Sequence, residues 1–402
     1  MYPLLESNKY MKTRIVITNI LFIIALFFKI GGGIFSNIGY VLFALYLVIM
    51  FFLFGKEILA SFFNSSTVSI YIFLFFVFLT SGLNVNTCLA LFFTFMPCML
   101  IDAKRKILLR SENTRAVEKM CFFTILGILM YYSYQSLVVL ESNPMALRHL
   151  VSEAKDDNII VGGGFALPYS MAILCPFLLH GSRQMASVLE RYFVYVVIAV
   201  GSYLVFRALF TTALLLMIIG YVIVILGRVS SKKRIRVFVF GGLLLILFIQ
   251  VLPLMTQYFL DQDFNVVGRR LQEISNMMNG NTGNDDGDFQ SRINLSLRSI
   301  ETFFNNPIWG IGPSVKYDYF EMEKSGVGSH AQWFDIFAIY GLFAILIVTY
   351  LRKVSKSISQ NNITLKLFVI LGFLNPIFIF TIVLVVYYIV PMFNFLWPQK
   401  NK

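Results

Sequence analysis

"YVLFALYLVIMFFLF", residues 40–54, carries no charged side chain at any position. Neither the alternation of a half-buried strand nor the polar stripe of a soluble amphipathic helix interrupts it. Its length approaches the ~20 helical residues that cross a bilayer's hydrocarbon. Three other stretches repeat the pattern: "IVITNILFIIALFF" (15–28), "VSIYIFLFFVFL" (68–79) and "ALLLMIIGYVIVIL" (213–226). A transmembrane β-barrel would show short alternating segments, which these are not. The composition agrees: 58% of the 402 residues are hydrophobic and 13% charged, against about half and a quarter in soluble domains. The sequence predicts an all-α polytopic membrane protein. Its first apolar run is long, has no small-residue cleavage site after it, and reads as a first transmembrane helix.

The expected spans are approximately 13–31, 34–54, 68–83, 86–101, 120–140, 165–180, 190–206, 208–227, 237–255 and 331–351, with a final region from 366. That region is long for one crossing and short for two, and Asn375-Pro376 inside it is either a kink or a turn. Eleven or twelve helices result. The net charge of +12 does not point to nucleic acid, because Lys and Arg gather in the short cytoplasmic loops of membrane proteins. Three such clusters, at 102–119, 227–236 and 352–366, fall on one side when crossings are counted from "KYMKTR" (9–14). They place the N-terminus inside and two segments outside. One is the small loop 141–164, among helices one to nine of residues 1–255. The other is a large loop, 256–330, ahead of the C-terminal helices of 331–402. The large loop holds 10 of the 21 acidic residues against 6 Lys and Arg.

Within that loop "NMMNGNTGNDDGDF" (276–289) is turn-rich, whereas "SRINLSLRSIETFF" (291–304) spaces apolar residues at 293, 295, 297, 300, 303 and 304 as an amphipathic helix does. Asn306-Pro307 stops the helix, and the turn "WGIGPS" follows. Cys88, Cys98, Cys121 and Cys175 lie in expected spans, where they form no disulfide framework, and no His/Cys spacing offers the three or four ligands a zinc ion needs. No nucleotide-binding or serine-nucleophile motif is present. No metal and no cofactor are expected.

Residues able to carry chemistry collect at the outer boundary. Arg207 sits there against the inside bias, either as a snorkelling anchor or as a ligand-bound cation. Arg292 and Arg298 lie on the loop helix; a guanidinium fork suits phosphate oxygens, and salt bridges on a solvated face are the alternative for Arg298. His330 stands where the loop meets a helix, with Ser329 as its expected cap. Trp333 is either an interfacial anchor or a sugar-stacking face. Asp335, five residues along, is poorly placed to orient His330 within one helix.

The order "SRINLSLRSIETFFNNPIWGIGPS" and then "SHAQWFDIFAIYGLFA" resembles the O-antigen ligase/polymerase superfamily of bacterial polysaccharide assembly. In that family an arginine precedes a turn with the pattern nPxxGxG, and a histidine opens a helix ending in yG. "FRALFTTALLL" (206–216) resembles an earlier family element, with Phe206 in place of its serine, and Ala331 stands where the family often has Asn or Ser. The resemblance implies about a dozen helices and a large extracytoplasmic loop in a bacterial inner membrane. It implies a membrane-embedded glycosyltransferase acting on undecaprenyl-diphosphate-linked glycan at the outer face, without nucleotide sugar or metal. It also gives the site residues roles: His330 and Arg292 catalytic, and Arg207, Arg298 and Trp333 binding substrate. The activity expected is polymerisation of lipid-linked repeat units into O-antigen or capsule, with the bilayer and a chain-length regulator as partners. The alternatives are a ligase that transfers glycan to lipid A–core and a polysaccharide transporter or flippase. Nearly uncharged spans, with polar residues gathered at one face, speak against the transporter.

Overall fold

The computed structural model describes residues 2–108, 114–142, 147, 164–208, 210–228, 250–251, 253–254, 256–258, 272, 275, 288–313, 327–328, 330–358 and 362–398. Among them all regular structure is helical and no strand occurs. The helices are α1 (Tyr2–Ile30), α2 (Gly33–Phe62), α3 (Thr67–Thr80), α4 (Val85–Leu108), α5 (Arg115–Ser142), α6 (Ala166–Gly181), α7 (Val188–Arg207) and α8 (Thr211–Arg228). After these come α9 (Asp288–Asn305), α10 (Gln332–Tyr340), α11 (Ala344–Ile358), α12 (Asn362–Gly372) and α13 (Phe380–Leu396). Among the described residues six helical stretches are long and apolar enough to cross a membrane, the joined α10–α11 stretch Gln332–Lys356 among them, and four shorter apolar helices join them. The chain is an all-α polytopic membrane protein. The span expected at 237–255 lies, for the most part, outside the described residues.

Polar bonds between helices sort the helix ends onto two sides. At one end, Lys106 of α4 donates to Ala60 O (3.2 Å) and Ser61 Oγ (3.1 Å) of α2. Lys119 of α5 pairs with Glu190 of α7 at 3.2 Å, and Arg115 donates to the carbonyls of Phe395 and Leu396 at the end of α13. This is the basic end. At the opposite end, Tyr132 of α5 donates to Phe27 O of α1 (2.7 Å), and Tyr169 of α6 bonds Asn375 Oδ1 (3.2 Å). The Gln332 side-chain oxygen accepts there from the backbone N–H groups of Ile377 (3.1 Å) and Phe378 (3.3 Å).

Those bonds decide the final region. Its break, 373–379, lies at the opposite end while α13 finishes at the basic end, so α12 and α13 are two antiparallel helices rather than one kinked span. A helix ending before Asn375-Pro376 is what a proline's restriction of its predecessor favours. α13 contains a five-residue π segment, Val385–Ile389, with Tyr387 and Tyr388 buried in the bundle core.

The segment 102–119 needs a correction. Expected as a short basic loop between spans, it instead extends α4 to Leu108 and begins α5 at Arg115. Lys104 and Glu118, 3% and 1% exposed, form a buried ion pair at 3.1 Å. Asn19 of α1 closes the group, donating to Glu118 Oε1 at 3.0 Å and accepting from Lys104. Unpaired, either charge would cost several kcal/mol to bury; with opposite charges and an amide converging, the helices can carry both inward.

Candidate functional site

The loop helix α9 docks on α10 through a buried knot. Ser299 on α9 is fully buried and donates to Asp335 Oδ1 at 2.6 Å, while accepting from the Gly328 backbone N–H at 2.9 Å. Asp335 Oδ2 accepts from the Ala331 N–H at 3.1 Å. One turn on, Phe303 meets Phe337 edge-on at 5.6 Å between ring centroids. The Ser299–Asp335 pair thus ties three elements together: the helix with the arginines, the stretch of chain leading to His330, and the start of α10. The amphipathic pattern predicted for 291–304 divides accordingly. Leu295, Ile300 and Phe303 are half-buried, and Ile293, Leu297 and Phe304 are exposed.

The residues after α9 lock onto the far end of α10. Ile311 and Gly312 donate to the carbonyls of Ala338 (3.1 Å) and Ile339 (2.9 Å), and Leu342 donates to Pro307 O (2.8 Å). A helix end leaves its last carbonyls without partners, and here the loop supplies them. The late helix therefore stops at Tyr340, passes through a 3-10 turn at Gly341–Phe343 and resumes as α11. Two glycines make the crossing possible. Gly310 and Gly341 have φ of 66° and 54°, and a Cβ on either would sit 2.2–2.4 Å from a carbonyl oxygen of the facing strand of chain. These are the glycines of "WGIGPS" and "IYG". Trp309, stacked with Phe343 and Phe76, fastens the turn to α3.

His330 is half-buried, one residue before Ala331, and α10 begins only at Gln332 with Ala331 as its N-cap. The expectation that His330 opens the helix under a Ser329 cap is corrected to this extent. The cap position belongs to Ala331, whose N–H is held by Asp335, and Ser329 lies outside the described residues. Arg292 and Arg298 are half-buried on α9, and they and His330 each have interaction partners within the protein. Gly328, two residues before His330, packs against the backbone of Leu295, a helical turn from Arg292.

Arg207 ends α7 and is half-buried; among the described residues it takes no hydrogen bond or ion pair. It lies three residues before Phe210, which belongs to a chain of contacts at the same end of the bundle as His330. Phe210 stacks on Tyr169, Tyr169 bonds Asn375, and the neighbouring Ile377 and Phe378 bond Gln332 beside Ala331. Trp333 points elsewhere. Its indole N–H donates to Val369 O (2.9 Å), its ring meets Phe368 and Phe378 edge-on, and Gly372 packs against it. That arrangement joins α10 to α12. Sequence reading missed Ser299, Asp335 and Gln332 as the residues that build this end, because each bonds across elements that lie far apart in the chain. Among the described residues no cluster of His, Cys, Asp or Glu could hold a metal ion.

No curated protein matches the chain. A family profile described as O-antigen ligase matches residues 193–349, which include Arg207, Arg292, Arg298, His330 and the knot between Ser299 and Asp335. Over this segment, and through the late motif inside it, the chain is similar to the O-antigen ligase family.

Proposed function

We propose that the protein polymerises lipid-linked oligosaccharide repeat units at the extracytoplasmic face of a bacterial inner membrane. The observation that supports this most directly is the Ser299–Asp335 knot, which fixes the arginine-bearing α9 against the segment carrying His330. Glycan transfer from a lipid diphosphate needs a fixed cation for the departing charge and help for a weak hydroxyl nucleophile. In the proposed step the terminal-sugar hydroxyl of one lipid-linked repeat unit attacks the anomeric carbon of the donor glycan. The bond from that carbon to the phosphate oxygen breaks, and undecaprenyl diphosphate leaves with the electron pair. His330 takes the hydroxyl proton or holds the hydroxyl by a hydrogen bond. Arg292, with Arg207 and Arg298, offsets the charge gathering on the diphosphate, a task for which the planar guanidinium needs no change of protonation.

A ligase would use the same donor chemistry with lipid A–core as acceptor. Glycan gels of a deletion strain separate the two. Loss of a polymerase leaves single repeat units on the carrier or final acceptor, whereas long chains accumulating on undecaprenyl diphosphate would refute the polymerase reading.

A further inference from the structure

The opposite end carries a second cation that neither the matched segment nor the proposed chemistry uses. Lys29 lies near the end of α1, just before the Gly31-Gly32 turn into α2, and the start of α2 is shaped around it. Ser36 Oγ accepts from Lys29 Nζ at 2.7 Å. The Tyr40 ring lies beneath the ammonium, 3.4 Å from Nζ to the ring centroid. Between them, Gly39 lets α2 rest on the lysine's own backbone, since a Cβ there would fall 2.6 Å from Lys29 N. A merely snorkelling lysine extends its head to water. Here the head is turned onto the neighbouring helix and half-buried. Among the described residues no carboxylate pairs with it.

A cation held at a bilayer boundary without a counter-ion is a ligand site by default, and at this depth the abundant anion is a lipid-borne phosphate. Its position relative to His330 says which one. Lys29 Nζ is 6.0 Å from the Phe380 ring centroid, at the start of α13. Two residues earlier Phe378 bonds Gln332, itself two residues from His330. Lys29 therefore shares the end of the bundle with His330 but is set apart from it by the break between α12 and α13. In a polymerase the donor's diphosphate sits at the reacting carbon, while the acceptor's lies a whole repeat unit away from its attacking sugar. Two lipid diphosphates need two cations at different distances from the base.

We propose that Lys29, presented by Ser36, Gly39 and Tyr40, binds the diphosphate of the acceptor lipid. The identification of the acceptor rests on the polymerase reading; the phosphate site does not.

Equilibrium binding tests it without turnover. Purified full-length protein in nanodiscs of zwitterionic lipid is titrated with radiolabelled undecaprenyl diphosphate. The expected result is two sites per chain, one weakened by Lys29→Gln and the other by Arg207→Ala. Each loss should be about ten- to a hundred-fold in Kd, the worth of a charge-assisted hydrogen bond. Lys29→Arg should bind nearly as wild type, because arginine also stacks on tyrosine, which separates loss of charge from misfolding. A single site unaffected by Lys29→Gln overturns the proposal. If phosphatidylglycerol displaces the Lys29-dependent site at equal potency, the site belongs to bulk headgroups and the acceptor assignment fails. If two sites are found but the deletion strain behaves as a ligase mutant, the phosphate site stands and the polymerase reading falls.

Discussion

Asp335→Ala should undock α9 while leaving the membrane bundle folded. The carboxylate is 3% exposed and accepts two hydrogen bonds, from Ser299 Oγ at 2.6 Å and the Ala331 N–H at 3.1 Å. Each bond to a charged group contributes about 1.5–3 kcal/mol. The N–H freed at Ala331 can recover part of that from water, so docking should weaken by ~2–4 kcal/mol, roughly thirty- to a thousand-fold. Trypsin reads this directly on detergent-solubilised protein. Arg292 and Arg298 lie on α9, and cleavage of a helix requires it to open, so the cutting rate follows the open population when reclosing is fast. The rate at these two sites should rise by the same factor, and polymer should disappear. Ser299→Ala should behave alike and the double variant should be less than additive, since both remove one contact. Cutting rates within twofold of wild type for Asp335→Ala, with normal glycan, would refute the view that this knot holds the site together.

Changing Arg207 or Arg292 to Ala should abolish polymer with the protein still in the membrane, and Lys should rescue poorly because it lacks the planar fork; full activity of both Lys variants, measured by glycan gel, would leave simple surface charge as the explanation. His330→Ala should lower turnover of purified lipid-linked repeat units about a hundred- to ten-thousand-fold, the usual worth of general-base help. Wild-type turnover should fall as acidification protonates the imidazole, and an alanine variant with most of its turnover would remove His330 from the chemistry. A cysteine placed at Asn281, in the loop 256–330, should react with a membrane-impermeant thiol reagent on intact spheroplasts, and labelling only after lysis would reverse the orientation.

Much of the fold could be read from apolar runs, because in a bilayer the length of an uncharged stretch nearly determines a crossing. Charge was the less dependable guide. The run "DAKRKILLRSENTRAVEK" marks a side of the membrane, yet Lys104 and Glu118 within it are buried, since each neutralises the other at a distance that sequence spacing of fourteen residues does not reveal. The late motif was legible in part: Asn306-Pro307 as a stop, Gly310 within the turn "WGIGPS", and Gly341 as the end of the family's yG pattern. What it could not convey is that those two glycines face each other. Asp335 was set aside because within one helix it stands too far from His330. Its effect instead runs through Ala331 and across to Ser299, a contact between residues thirty-six apart. Trp333, a residue type prized at sugar sites, turns out to bridge α10 and α12 through its indole N–H.

The distribution of compensated charge bears on the transporter alternative. Buried ionisable residues within spans are what a carrier would need, and the bundle does contain Lys104 and Glu118. They lie at the tips of α4 and α5, bonded to each other and to Asn19, so the group fastens three helices at the basic end rather than lining a route through the middle. The pairs Lys106–Asp102 and Lys119–Glu190 lie at that end as well. At the opposite end Lys29 and Arg207 take no carboxylate among the described residues. An alternating-access cycle would have to expose its charged groups to both sides in turn. Here Lys104, Lys106 and Lys119 at one end are paired with carboxylates of the protein itself, while Lys29 and Arg207 at the other take none among the described residues. That asymmetry suits anionic ligands which arrive and depart on a single face, as two lipid diphosphates would.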